Sequence, residues 1–275
     1  MKTVAFQGER GAFSEDAAFR FWNQPIIPSP QKTFKEVFQA VAEGRCDHGI
    51  VPIENSQTGS IHQNMDLFLE FNLSVVGEMI LRIRHCLLAL PGVRLSQIKR
   101  ILSHPQALEQ CTKFLENLKN VEIVPMYDTA GSARWIVEKN LRDSAAIASA
   151  RAGRDYGLHV LAKDIEDNSQ NYTRFLVIGR EPLAQAHHAK TSIIFSTKDI
   201  PGALFKALSV FALRDINLLK IESRPLRKGP WKYWFYLDFE GSISDPPCAR
   251  ALEHLSEITT FLKILGSYPI GKQMD

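Results

Sequence analysis

The sequence has no paired cysteines, no block of basic residues and no long apolar run. Its four thiols, Cys46, Cys86, Cys111 and Cys248, are scattered through 275 residues, and no two stand at CxxC spacing. They read as reduced thiols, not as a disulfide frame or a zinc site. The longest apolar run, around Cys86 to Pro91, is far too short to cross a bilayer. The opening Met1 to Phe6 is too short for an export-signal core before Gly8, Glu9 and Arg10 follow. A net charge of +3 without a Lys/Arg block leaves no footprint for nucleic acid or a membrane surface. These absences predict a soluble, cytoplasmic protein. No cluster of metal ligands appears, and no serine nucleophile elbow.

What is present is ordinary globular composition, 45% hydrophobic and 23% charged, at a length that suggests two domains. Short strand-like runs (Thr3 to Phe6, Ile50 to Ile53, Arg100 to Leu102, Val121 to Val124, Ala145 to Ala148, Phe175 to Ile178) alternate with helical patterns. This predicts α/β architecture with mostly parallel sheets in two lobes around a ligand cleft. Caps are expected at Ser14, at Thr33 with Glu36, and at Ser103 with Gln106. A linker is expected over residues 181–190. Beyond it, strand and helix patterns follow in the order βαββαβ, a ferredoxin-like module over residues 191–275.

Five polar segments sit where strands end or helices begin, the positions at which open α/β sheets bind ligands. Gly8-Glu-Arg-Gly11 reads as a tight turn, since the third glycine of a dinucleotide fingerprint is missing. Asn55 and Ser56 end a strand, and could simply satisfy turn backbone. Ser103, His104 and Gln106 open a helix. Thr129, Gly131 and Ser132 follow Asp128 at another helix start. Asn171, Thr173, Arg174 and Phe175 lead into a strand, with Arg174 able to clamp a carboxylate in two-pronged fashion. The helix starts and the one arginine suggest a pocket for a small polyanion.

In this order the motifs resemble those of the prephenate and arogenate dehydratase family, over nearly the whole chain. The match includes Gly8-x-x-Gly11-Ala-Phe-Ser14-Glu15, Pro52-Ile-Glu54-Asn55-Ser56-x-x-Gly59-Ser60-Ile-His62, Ser103-His-Pro-Gln-Ala107, Asp128-Thr-Ala-Gly-Ser132 and Thr173-Arg-Phe175. Gly202-Ala-Leu-Phe205 and Glu222-Ser-Arg-Pro225 resemble the ACT domain of those enzymes. His85 to Gly92 and Leu265 to Pro269 resemble forms from both enzyme types.

The resemblance implies a two-lobed, periplasmic-binding-protein-like catalytic domain over residues 1–180, its second lobe about 79–165, and an ACT domain behind it. It implies loss of carbon dioxide and water from prephenate, or from arogenate, without cofactor or metal. Thr173 would be the catalytic residue. Asn55, Ser56, Ser103, His104, Gln106, Thr129, Gly131, Ser132, Asn171, Arg174 and Phe175 would bind substrate. Phenylalanine would act as effector near Gly202, Ala203, Leu204, Asn217, Leu218, Glu222 and Ser223, and the chain would form a homodimer or homotetramer. A non-catalytic amino-acid sensor is the remaining alternative.

Overall fold

The computed structural model describes residues 1–183, 188–225, 233–271 and 273–274. Residues 184–187 of the expected linker lie outside the described residues. The first stretch contains β1 (Lys2–Gln7), α1 (Phe13–Trp22), β2 (Ile26–Gln31), α2 (Phe34–Ala42), β3 (His48–Asn55), a short β4 (Gly59–Ser60), α3 (His62–Glu70) and β5 (Ser74–Arg82). Next come β6 (Cys86–Ala89), β7 (Arg100–Ser103), α4 (Pro105–Glu109), α5 (Thr112–Glu116), β8 (Glu122–Pro125), α6 (Thr129–Glu138), β9 (Ser144–Ala148), α7 (Ala150–Asp155) and β10 (His159–Ala162). After β11 (Tyr172–Gly179) follow β12 (Ala189–Thr197), α8 (Ala203–Ala212), β13 (Leu218–Pro225), β14 (Tyr233–Glu240), α9 (Pro246–Ile258), β15 (Thr259–Pro269) and β16 (Gln273–Met274).

Three sheets result. The first runs β16-β5-β11-β3-β1-β2, with β4 beside β3. β1 pairs parallel with both β2 and β3. β3 is buried from Gly49 to Ile53, as a strand covered on both faces requires. The second sheet runs β10-β6-β9-β7-β8. It is mixed, not mostly parallel: β7 is parallel to β8 and β9, while β6 is antiparallel to β9 and β10. These two sheets are the cores of two lobes. The third sheet, β13-β14-β12-β15, pairs antiparallel throughout, and α8 and α9 bury Ala207, Val210, Phe211, Ala251 and Leu255 against it. That is the expected βαββαβ module.

By internal contacts the chain divides into two compact units. One comprises Met1–Asn64, Met79–Phe175 and Gln273–Asp275; the other comprises Met65–Glu78 and Leu176–Lys272. Within the second unit, Lys190 Nζ lies 2.8 Å from Glu78 Oε1, and the Gly271 N–H donates to Glu78 Oε2 at 2.7 Å. Lys263 Nζ donates to the carbonyls of Phe68 and Phe71. A buried carboxylate and two helix-end carbonyls are thereby satisfied.

Two expected caps are displaced by one or two residues. α1 is preceded by Ala12 with no side-chain cap, and Ser14 is already its second residue. α4 is capped by His104, whose Nδ1 accepts from the Gln106 N–H at 3.2 Å. Pro105 occupies the first helical position, which makes the residue before it the cap. Ser103, the expected cap, instead donates to the Ile147 carbonyl at 2.6 Å. Thr33 does cap α2, accepting from the Glu36 N–H, while Glu36 reaches back to the Lys32 N–H.

Candidate active site

A cavity of about 340 Å³ lies within the first unit, and both lobes contribute to it. Phe13, Ser14, Asn55, Thr173 and Phe175 line it from the first lobe; His104, Gln106, Gln110, Asp128 and Thr129 line it from the second. Its size suits a small ring compound. Of the expected substrate contacts, Asn55, His104, Gln106, Thr129, Thr173 and Phe175 are brought together here. Ser56, Ser103, Gly131, Ser132, Asn171 and Arg174 are not among its lining residues.

Arg174 is the main departure. Side chains alternate across a strand, so with Thr173 and Phe175 in the cavity Arg174 faces away from it. There it lies 4.0 Å from Glu54. Among the described residues the lining holds no Arg or Lys. α1 starts without a side-chain cap, and its Phe13 and Ser14 line the cavity. Unmet N–H groups at a helix start favour an anion.

The other displaced residues have structural employment. Ser56 Oγ donates to the Gln170 carbonyl and accepts from the Tyr172 N–H, tying the end of β3 to the start of β11. Ser132 donates to the Asp128 carbonyl. Gly131 makes room: a Cβ there would stand 2.5 Å from the Tyr127 hydroxyl. Tyr127 therefore packs against the start of α6 and lines the cavity. Its hydroxyl donates to Glu9 Oε1 at 3.0 Å. Partial burial, then that bond, lifts the phenol to about 12, so it stays protonated.

The Gly8–Gly11 turn is a tight turn, not an anion cradle. Its N–H groups are taken by carboxylates, Glu9 N–H by Asp128 Oδ2 at 3.1 Å and Gly11 N–H by Glu15 Oε2 at 2.6 Å. Gly11 has φ +84°, and a Cβ there would meet Ala152 Cα at 2.6 Å. The turn thus docks the first lobe onto α6 and α7 of the second. Arg151 reaches buried Glu15 at 3.3 Å, Arg134 reaches Glu9 at 2.6 Å, and Ser149 donates to the Gly11 carbonyl. Burial pushes the Asp128 carboxyl above its ordinary value, against the pull of three backbone N–H groups.

Across the cavity the lobes meet through neutral groups. Asn55 Nδ2 donates to Asn171 Oδ1 at 2.8 Å and to Thr173 Oγ1 at 3.0 Å. Asn171 Nδ2 donates to Gln110 Oε1 at 3.0 Å, and His85 Nε2 lies 2.9 Å from the same oxygen. Gln106 Nε2 donates to Thr58 Oγ1 at 2.7 Å. His85 and Gln110 escaped the sequence reading. A histidine in an apolar run and a glutamine on a short helix carry no local signal of a site.

Comparison with known proteins decides the family. The family model described as "Prephenate dehydratase" matches residues 4–183, and that of the ACT domain matches residues 191–257. The chain belongs to the prephenate dehydratase family. It is 50% identical to "Arogenate dehydratase/prephenate dehydratase 2, chloroplastic" of Arabidopsis thaliana, over 98% of this chain and 74% of that one. Prephenate dehydratase from Arthrobacter aurescens, solved in complex with L-Phe, has a TM-score of 0.89 at 34% identity, covering 99% of this chain and 91% of its own. A protein described as "GqqA- a novel type of quorum quenching acylases" also has a TM-score of 0.89, at 35% identity over 98% of both chains. The family makes this chain a dehydratase with an ACT domain. The cytoplasmic expectation does not survive: three Arabidopsis relatives, 46–50% identical, carry "chloroplastic" in their names.

The expected effector residues all lie in the second unit. Gly202 takes φ +76° as the residue preceding α8, with open space where a Cβ would stand. Glu222 is paired with Lys220 at 3.1 Å. Ser223 follows Glu222 on β13, so the two side chains point to opposite faces of the sheet.

Proposed function

We propose that the cavity performs the decarboxylating dehydration of prephenate or arogenate, a carbon–oxygen lyase reaction. The ring C–CO₂ bond breaks, its electron pair enters the ring, and the opposite C–OH bond breaks as the ring becomes aromatic. The hydroxide leaves as water once it gains a proton. One observation carries the reading. Thr173 Oγ1 already accepts from Asn55, so its O–H is available to donate to the leaving oxygen. Substrate carboxylates meet the start of α1 and the amide of Gln106, while Asn55 lines the pocket and orients Thr173. Thr129 and Phe175 complete the contacts, and His104 stands as a second proton source beside the pocket.

A preference for arogenate is favoured by Asp128, the sole charged side chain in the lining, which suits an ammonium group. Residues 1–180 would carry catalysis and residues 191–275 regulation. Phenylalanine would bind the ACT domain around Gly202, Ala203, Leu204, Asn217 and Leu218. The chain would assemble as a homodimer or homotetramer, with the exposed Leu219 and Ile221 of edge strand β13 suited to pairing.

The test is side-by-side turnover of prephenate and arogenate by wild type and Thr173→Ala. Wild type turns over at least one of them, and the variant loses about 100-fold or more in kcat, the cost of removing a transition-state donor. A folded Thr173→Ala protein with near-native kcat would remove Thr173 from its role. No turnover by wild type would favour the sensor reading.

A further inference from the structure

His85 is buried, lines the cavity and has no role in the reaction as described above. Hydrogen-bond chemistry fixes its protonation from a distance. Asn55 Oδ1 accepts from the backbone N–H groups of Gln57 at 2.9 Å and Thr58 at 3.1 Å, so the other end of that amide must be Nδ2. The Tyr172 carbonyl, 3.2 Å away, demands the same. Nδ2 then donates to Asn171 Oδ1, which turns Asn171 Nδ2 towards Gln110. Gln110 must present its oxygen, and that oxygen also faces His85 Nε2. His85 is therefore the Nε2–H tautomer. Its Nδ1 is buried without a hydrogen-bond partner. The Phe13 ring stands edge-on to the imidazole, 5.4 Å between centroids.

We propose that His85 is a positioning residue for the dehydration: its Nε2–H holds Gln110, Gln110 holds Asn171, and Asn171 holds the Asn55 amide that turns the Thr173 hydroxyl proton towards substrate. This rests on the reading of Thr173 given above. The imidazole transfers no proton and stays neutral through the working range. Glu166 faces it, accepting the His85 backbone N–H at 2.9 Å, with Arg82 3.9 Å from that carboxylate. The nearby Cys86 and Cys111 thiols are held protonated by burial. Burial also lowers the His85 pKa, outweighing the Gln110 bond and the Glu166 charge.

The experiment is a double-mutant cycle on the full chain, with arogenate and prephenate as substrates. His85→Phe should lower kcat about 30-fold with KM nearly unchanged, somewhat less than a misplacement of a full ångström costs. His85→Gln, which returns an N–H near the Nε2 position, should recover most of that loss. In the Thr173→Ala background His85→Phe should change kcat less than about twofold, because residues acting as a unit are not additive. Imidazole ¹⁵N spectra of wild type at neutral pH should show one neutral Nε2–H tautomer. A normal kcat in His85→Phe alongside an inactive Thr173→Ala would overturn this inference alone; an active Thr173→Ala would instead overturn the reading beneath it. Equal losses in both backgrounds, or an imidazolium or Nδ1–H spectrum at neutral pH, would also overturn it. If His85→Phe does not fold, the spectra and His85→Gln still decide.

Discussion

The two seams between the lobes use opposite chemistry. On the Gly8–Gly11 side the lobes are joined by charge: Glu9 with Arg134, buried Glu15 with Arg151, and the Asp128 carboxylate on the Glu9 N–H. On the Asn55–Thr173 side they are joined by amides, hydroxyls and a neutral imidazole. A charged seam responds to salt and pH. A neutral seam is insensitive to salt, titrates only through its imidazole, and gives each of its members a defined donor and acceptor end. The contrast suggests a division of labour, with charge closing the lobes and amides aiming the hydroxyl.

The largest effect should come from reversing one amide. Asn55→Asp puts an acceptor opposite Asn171 Oδ1, Thr173 Oγ1 and the Tyr172 carbonyl at once. Steady-state assays should show kcat down about 1000-fold, about 4 kcal/mol, with the fold retained by circular dichroism. Normal turnover would mean that the neutral seam is scaffolding only.

Next comes the charged seam. Arg151→Ala leaves the Glu15 carboxylate, 1% exposed, with the Gly11 N–H as its remaining seam partner. Denaturant unfolding should show a loss of about 3 kcal/mol, the low end for a broken buried pair, since Arg151 is itself a fifth exposed. Activity of the folded fraction should change far less than in Asn55→Asp; a comparable fall in kcat would erase the distinction between the seams.

A smaller effect follows from pH. His85 has a lowered pKa in the fold, so the unfolded chain binds more protons below the ordinary value of 6.5. Stability from this group is complete above that value and declines as pH falls, by at most about 1.4 kcal/mol per pH unit. Melting curves at descending pH should separate wild type from His85→Gln, whose stability lacks this slope. Smallest of all, Arg134→Ala should cost under about 1 kcal/mol, because Arg134 and Glu9 are both partly exposed. Added salt should shrink even that.

Much of the fold was legible in the residues. Periodicity located most strands of the first unit, and the βαββαβ order marked the C-terminal module. β2 was missed because it contains Pro28 and Pro30, which argue against a strand interior. It is an edge strand, where an absent N–H costs little. β10 was missed because it is four residues long and also at an edge. At the site, the motifs point to Asn55 and Thr173, which line the cavity, while the strand's alternation turns Arg174 to the other face. His85, Gln110 and Asn171 form a relay only because β6, α4 and β11 converge in space. No sequence spacing encodes that convergence.

The Tyr127–Gly131 contact also constrains the order in which this sequence can change. While tyrosine at 127 keeps this rotamer, a side chain at 131 meets its ring, and the exposed phenol has to swing off the start of α6 to admit one. Once position 127 becomes small, 131 is released, and a methyl group gained there would bar the tyrosine's return to this rotamer. The two sites therefore pass through a single shared intermediate, small at 127 with glycine at 131, whichever way the sequence drifts.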